Sequence, residues 1–210
     1  MIRHWPGFLA LVLLAGCQTT VIPLDATFPP PLIDKFPIAI GVYYTPEFAH
    51  YKHEEDIPPA GKVTVEAGLI NVHLFDRLLP GLFAEVRHLT SVTGDATMRG
   101  VLVPEIAEMQ FSLPEQSHNE LYEVWLKYKI KLQTSDGKPI AEWPITAYGK
   151  YPTGVLVFRG GGLNKAAAVA LRDAAASFTL SLRDVADVQR WLEAESTAAE
   201  STAGKPGSAP

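Results

Sequence analysis

Residues 121–148 read LYEVWLKYKIKLQTSDGKPIAEWPITAY, and the fold class follows from how they alternate. From Leu121 to Thr134 the even positions Val124, Leu126, Tyr128, Ile130 and Leu132 are apolar. The odd positions Glu123, Lys127, Lys129, Lys131 and Gln133 are polar, with Trp125 the exception. A period of two describes a strand with one face in a core and one in water. Ser135-Asp136-Gly137-Lys138 then supplies an Asp-Gly turn, where glycine tolerates the positive φ that a tight hairpin requires. The return run, Ile140 to Tyr148, puts Ala141, Trp143, Ile145 and Ala147 on one side. Pro144 has no N–H to donate, which marks an edge or a bulge.

Outward from this hairpin, Gly100–Leu113 is strand-like, with Pro104 and a shift of pattern around Glu105 indicating a bend or edge. Ile38–Tyr44 is a short apolar run of strand formers, and Val63–Ala67 is a candidate short strand. Between them Pro46–Gly61 is polar, carries Pro58-Pro59 and reads as a loop. Gly68–Leu89 has helical spacing, with Val72, Phe75, Leu79, Leu82, Val86 and Leu89 on one stripe. Pro80 is expected to kink or restart that helix, because a mid-helix proline costs about 3 kcal/mol. A second helix is expected from about Asn164 to Leu192, its stripe formed by Leu171, Ala174, Phe178, Leu182, Val185 and Leu192. Its alanine-rich first half favours helix and permits close approach to a sheet. The expectation is one α+β domain over residues 38–192, of order βαβββα, with a largely antiparallel sheet covered by two helices.

The ends read differently. Met1–Gly16 has Arg3 near its start and an apolar core from Trp5 to Ala15, too short for the roughly 20 residues of a membrane-spanning helix. Leu14-Ala15-Gly16-Cys17 follows, and Cys17 is the only cysteine among 210 residues. This resembles the bacterial lipobox. The resemblance implies a signal peptide over 1–16, cleavage before Cys17, and lipid on its sulfur and new amino terminus. Gln18, in place of the aspartate that favours inner-membrane retention in enterobacterial lipoproteins, points to the outer membrane. Residues 17–37, with Pro23, Pro29, Pro30, Pro31 and Pro37, read as the lipidated cysteine and a semi-stiff tether. Residues 193–210 lack large apolar side chains and read as a disordered tail.

Charge and motif narrow the chemistry. A formal charge of −5 and a pI near 5.7 give no basic surface for nucleic acid. One cysteine makes neither an internal disulfide nor a thiolate metal site. Arg159-Gly160-Gly161-Gly162-Leu163-Asn164-Lys165 opens a helix but fits neither GxGxxG nor a Walker loop. It reads as a connector with Asn164 as N-cap, and anion binding by Gly160–Gly162 stays open. His50 and His53, three apart beside Glu54, Glu55 and Asp56, are weak candidates for a metal without HExxH spacing. His73 and His88 read as rim or surface residues. No catalytic residue and no cofactor is assigned: GxSxG is missing, and Cys17 is taken by the anchor. Trp125 with Lys127, Lys129 and Lys131 is the candidate partner surface, against the plainer reading of a solvated face.

Together, the lipobox, the βαβββα order and the closing helix LNKAAAVALRDAAASF resemble small Gram-negative lipoproteins of the YajG and LptE kind. Their domain is similar to the N-terminal domain of TolB. The resemblance covers Ile38–Leu192 in architecture and transfers one functional residue, Cys17. It implies a non-enzymatic accessory or assembly factor, lipid-anchored on the periplasmic face of the outer membrane, with an envelope protein as partner. A binding module for a lipid or glycan is the first alternative, marked by a deep apolar cavity between sheet and helices. A metal-assisted enzyme using His50 and His53 is the second.

Overall fold

The computed structural model describes residues 19–58, 61–93, 95–117, 119–154 and 159–203. Its centre is the hairpin read above. Strands β7 (Leu121–Gln133) and β8 (Pro139–Pro152) pair antiparallel from Leu121↔Pro152 to Gln133↔Pro139, and Gly137 takes φ 86° in the turn. The even side chains of β7 are buried, as alternation requires. β6 (Gly100–Ser112) pairs antiparallel with β7, with a bulge between Ile106 and Glu108. That extra residue restores the phase, so Met109 and Phe111 face the core while Glu108 and Gln110 face out. β2 (Phe36–Val42) lies parallel to β6 only over Gly100–Leu102, which leaves Pro104 without a neighbour to satisfy on that side.

β5 (Phe83–His88) adds a second parallel partner to β2, completing the order β5-β2-β6-β7-β8. Here the helical stripe overran its element. α2 (Gly68–Leu82) ends two residues after Pro80, with Val86 in the strand that follows and Leu89 just past it. α4 (Arg159–Asp184) and α5 (Ala186–Ala203) replace the single closing helix, with a break at Val185. α2, α4 and α5 cover one face of the sheet. The fold is a single α+β domain, and the expected βαβββα series is present as β2, α2, β6, β7, β8 and α4.

Three segments correct the sequence reading. The loop at 46–61 instead holds α1 (Pro46–Ala49), capped by Thr45, and β3 (Lys52–Ile57). β3 pairs with β4 (Gly61–Glu66), helped by the cross-strand pairs Lys52–Glu66 and Lys62–Glu54. The tether at 17–37 contains β1 (Thr19–Pro23), parallel to β4, and buries Ile22 and Phe28 in the core. Pro31 packs on Gly81, where a Cβ would meet its Cδ at 2.5 Å. The tail at 193–210 starts as helix to Ala203, anchored earlier in α5 by Val188, Trp191 and Leu192.

One polar pair is locked inside this core. Tyr128 Oη donates to Asn71 Oδ1, and Asn71 Nδ2 donates to the Ala67 carbonyl at 2.7 Å; both side chains are fully buried. Burial pushes the Tyr128 phenol well above its ordinary value. Tyr128→Phe strands the Asn71 oxygen, and the expected cost is about 1–3 kcal/mol. Urea denaturation checks it as a lower midpoint at unchanged slope.

Candidate functional site

The face of the five-stranded sheet opposite the helices carries the odd residues of β7 and the even residues of β8, and it is exposed at Trp125, Lys127 and Lys129 of β7 and from Glu142 to Lys150 of β8. Trp125 and Tyr148 are register partners on this face, with ring centroids 5.2 Å apart and planes at 37°. They keep 39% and 36% of their surface in water. Tyr148 Oη donates to Glu123 Oε1 at 2.6 Å. Beside the rings lies a groove of about 220 Å³ lined by Glu108, Gln110, Trp125, Lys127 and Thr146.

The lysine row is not the plain cationic strip expected from sequence. Lys131 pairs with Glu105 on β6, and Lys129 Nζ lies 3.7 Å from Glu142 on β8. Such exposed pairs contribute about 0–1 kcal/mol each, so they neutralise the face more than they hold it. Lys127, next to the Trp125–Tyr148 pair, has no carboxylate partner among the described residues. The site is an aromatic platform flanked by Lys127 and edged by acids. Tyr148 is the member that sequence reasoning missed. Counting outward from Asp136-Gly137 places it opposite Trp125.

The hydrogen bond to Glu123, with burial and the carboxylate charge adding to it, raises the Tyr148 phenol to about 12. A raised folded value favours the neutral phenol, so this contribution is complete below about pH 10 and is lost as pH rises through about 12. Glu123→Gln is expected to bring the titration back toward 10. Tyrosine-labelled NMR, with Tyr148→Phe assigning the signal, checks this.

The other candidates are drawn into ordinary structure. His50 Nδ1 lies 2.9 Å from the Pro46 carbonyl at the end of α1. His53 Nε2 lies 2.8 Å from Glu55 Oε1, with its ring edge-on to Phe111. Among the described residues, no group of three His, Cys, Asp or Glu is placed to hold a metal. His73 is exposed; His88 lies on β5 and meets Asp76 at 3.0 Å, where the Tyr44 hydroxyl also donates at 2.7 Å. That cluster ties the C-terminal ends of β2 and β5 to the middle of α2. Burial first, then Asp76, pushes the Tyr44 phenol far up.

Gly160, Gly161 and Gly162 lie inside the first turns of α4, which corrects the connector reading. A Cβ on Gly162 would overlap the Tyr122 ring, so packing accounts for that glycine. Asn164 is not an N-cap: its Oδ1 accepts from the Asp25 N–H at 3.0 Å. Next to it a cleft of about 560 Å³, lined by Asp25, Thr27, Tyr151, Asn164, Lys165 and Arg172, opens on the surface beside α4. It does not lie between sheet and helices, where a cavity would mark the alternative reading as a binding module. Cys17 and residues 1–16, read from sequence as a signal peptide, lie outside the described residues, and no described helix is long and apolar enough to cross a membrane.

No family model matches the chain, and no curated protein does. Among solved structures it is similar to a Xanthomonas campestris protein of the DUF330 family, at TM-score 0.50 and 14% identity over 79% of this chain and 97% of that one. The fold is therefore one already observed. A minor lipoprotein from Acinetobacter baumannii matches at TM-score 0.43 and 10% identity, over 75% and 96% of the two chains. A Caulobacter crescentus protein described as a putative lipoprotein matches at TM-score 0.35 and 12% identity, over 47% and 70%.

Proposed function

We propose that the chain is a lipid-anchored bacterial envelope protein acting without catalysis, as an accessory or assembly factor that binds a protein partner. The reading places it on the periplasmic face of the outer membrane, held by lipid on Cys17, in the manner of the YajG and LptE kind. Support for the anchor is the sequence Leu14-Ala15-Gly16-Cys17. Support for the contact role is the exposed Trp125–Tyr148 pair on an uncovered sheet face, since aromatic anchors with a polar rim are what protein interfaces concentrate. The single observation that carries it is that pairing: two large rings tilted against each other, each more than a third exposed, beside Lys127.

Purification from membranes in gentle detergent tests it. One stoichiometric envelope protein is expected with the wild type and is lost with Trp125→Ala/Tyr148→Ala. A partner-free wild type, or a partner indifferent to the double variant, sinks the reading.

A further inference from the structure

We infer that the domain sits flush against the bilayer with a defined end down, and is not held off by a spacer. The inference rests on the lipid-anchor reading of Cys17 and adds to it a docking surface for the membrane. β1 begins at Thr19, two residues after that cysteine. Two residues of fully extended chain reach about 7 Å. The headgroup zone on one side of a bilayer is about as thick. Thr19 is therefore at headgroup depth whenever the acyl chains are inserted.

The chain that follows cannot pay out to lengthen the link. Thr19–Pro23 is laddered to β4 over five register pairs, and the Leu24 N–H donates to the Glu66 carbonyl at 3.2 Å. The Asp25 N–H is held by Asn164, and Phe28 is buried. A residue in a strand gives up its ladder before it gives slack, so the domain moves with its anchor.

The contacts along α4 fix which end faces the lipid. Ile22 lies at Gly160, Asp25 at Asn164 and Thr27 at Arg172, so this segment runs along α4 in the same direction. The start of β1 thus projects beyond the N-terminal turn of α4. Thr19 pairs with Lys62, and Lys62 with Asp56, so the end of β3, with Pro58 just beyond it, lies at the same end. α4 lies antiparallel to β8: Gly149 meets Ala166 and Ala170, and Trp143 Nε1 donates to Ser181 at 2.9 Å. The Ser135–Lys138 turn is accordingly the far end. Thirteen residues of β7 at 3.3 Å each put it about 40 Å from Leu121. On this geometry Trp125, four residues from Leu121, stands in the half nearest the membrane.

The test uses the full lipidated protein, extracted in detergent and reconstituted into vesicles of phosphatidylethanolamine and phosphatidylglycerol. Acylation consumes the native thiol, so Pro58→Cys and Lys138→Cys each take one fluorophore. Lipids with a nitroxide on the headgroup serve as quencher, and vesicle flotation is read in parallel. The expected result is flotation of both proteins, with quenching several-fold stronger at 58 than at 138. A (Gly-Ser) repeat inserted between Gln18 and Thr19 should keep flotation and abolish quenching at 58. Flotation with equal or absent quenching at the two sites overturns the docking and leaves the anchor standing. Failure to float overturns the anchor reading and the docking with it.

Discussion

Gly149→Ala is expected to cost about 3 kcal/mol or more, the upper range for overpacking, because the added methyl has nowhere to go. A Cβ at this position would overlap the Ala166 carbonyl oxygen and the Ala170 amide nitrogen, and would meet Ala170 Cα at 3.0 Å. These are backbone atoms of α4, so no rotamer change relieves the clash; the helix must lift from β8. Ala166, Ala167 and Ala170 are fully buried there, and lifting re-exposes them together with Leu171 and Phe178. The alanine-rich sequence of the helix and the glycine in the strand are two halves of one close approach. Gly160→Ala is the control: among the described residues its Cβ meets nothing nearer than Ile22 at 3.9 Å, and alanine favours helix over glycine by up to about 1 kcal/mol. Urea midpoints should move in opposite directions for the two variants. A Gly149→Ala protein of wild-type stability would refute the packing of α4 described above.

Cys17→Ala is expected to give the largest change in the cell, an all-or-none loss of lipid. Each buried methylene contributes about 0.8 kcal/mol to membrane binding, so several acyl chains hold where one is marginal. Cells fed an alkyne fatty acid should label the wild type and leave Cys17→Ala unlabelled. An unlabelled wild type would remove the anchor, and the docking geometry that depends on it. Fractionation adds little to this readout, because an uncleaved signal sequence can keep the variant on membranes.

What sequence disclosed and what it hid have physical causes. β7 and β8 were legible because one face is buried and the other wet, and Asp136-Gly137 fixes their register. The shift in pattern near Glu105 is the β6 bulge. β1 was hidden because only Ile22 of its five residues is buried, and its partner β4 is distant in sequence, so neither alternation nor a turn announces it. β3, KHEEDI, reads as a charged loop; its antiparallel backbone ladder with β4, over six register pairs, makes it a strand. β5 was absorbed into a helix because Val86 and Leu89 happen to continue the α2 stripe. The later part of α5, AESTAAESTA, has no apolar pattern at all, and the helix is set by Trp191 packed on Gly100. At the candidate site Trp125 and the lysines were visible from one strand. Their neutralisation by Glu105 and Glu142, and the pairing with Tyr148, belong to neighbouring strands and needed the fold.

The central claim is that the uncovered sheet face meets a protein partner. A photo-crosslinking amino acid placed at Lys127, and separately at the exposed Val169 of α4, tests it in living cells. One discrete adduct from position 127 and none from 169 is the predicted result. No adduct from 127, or the same adducts from both positions, would contradict it.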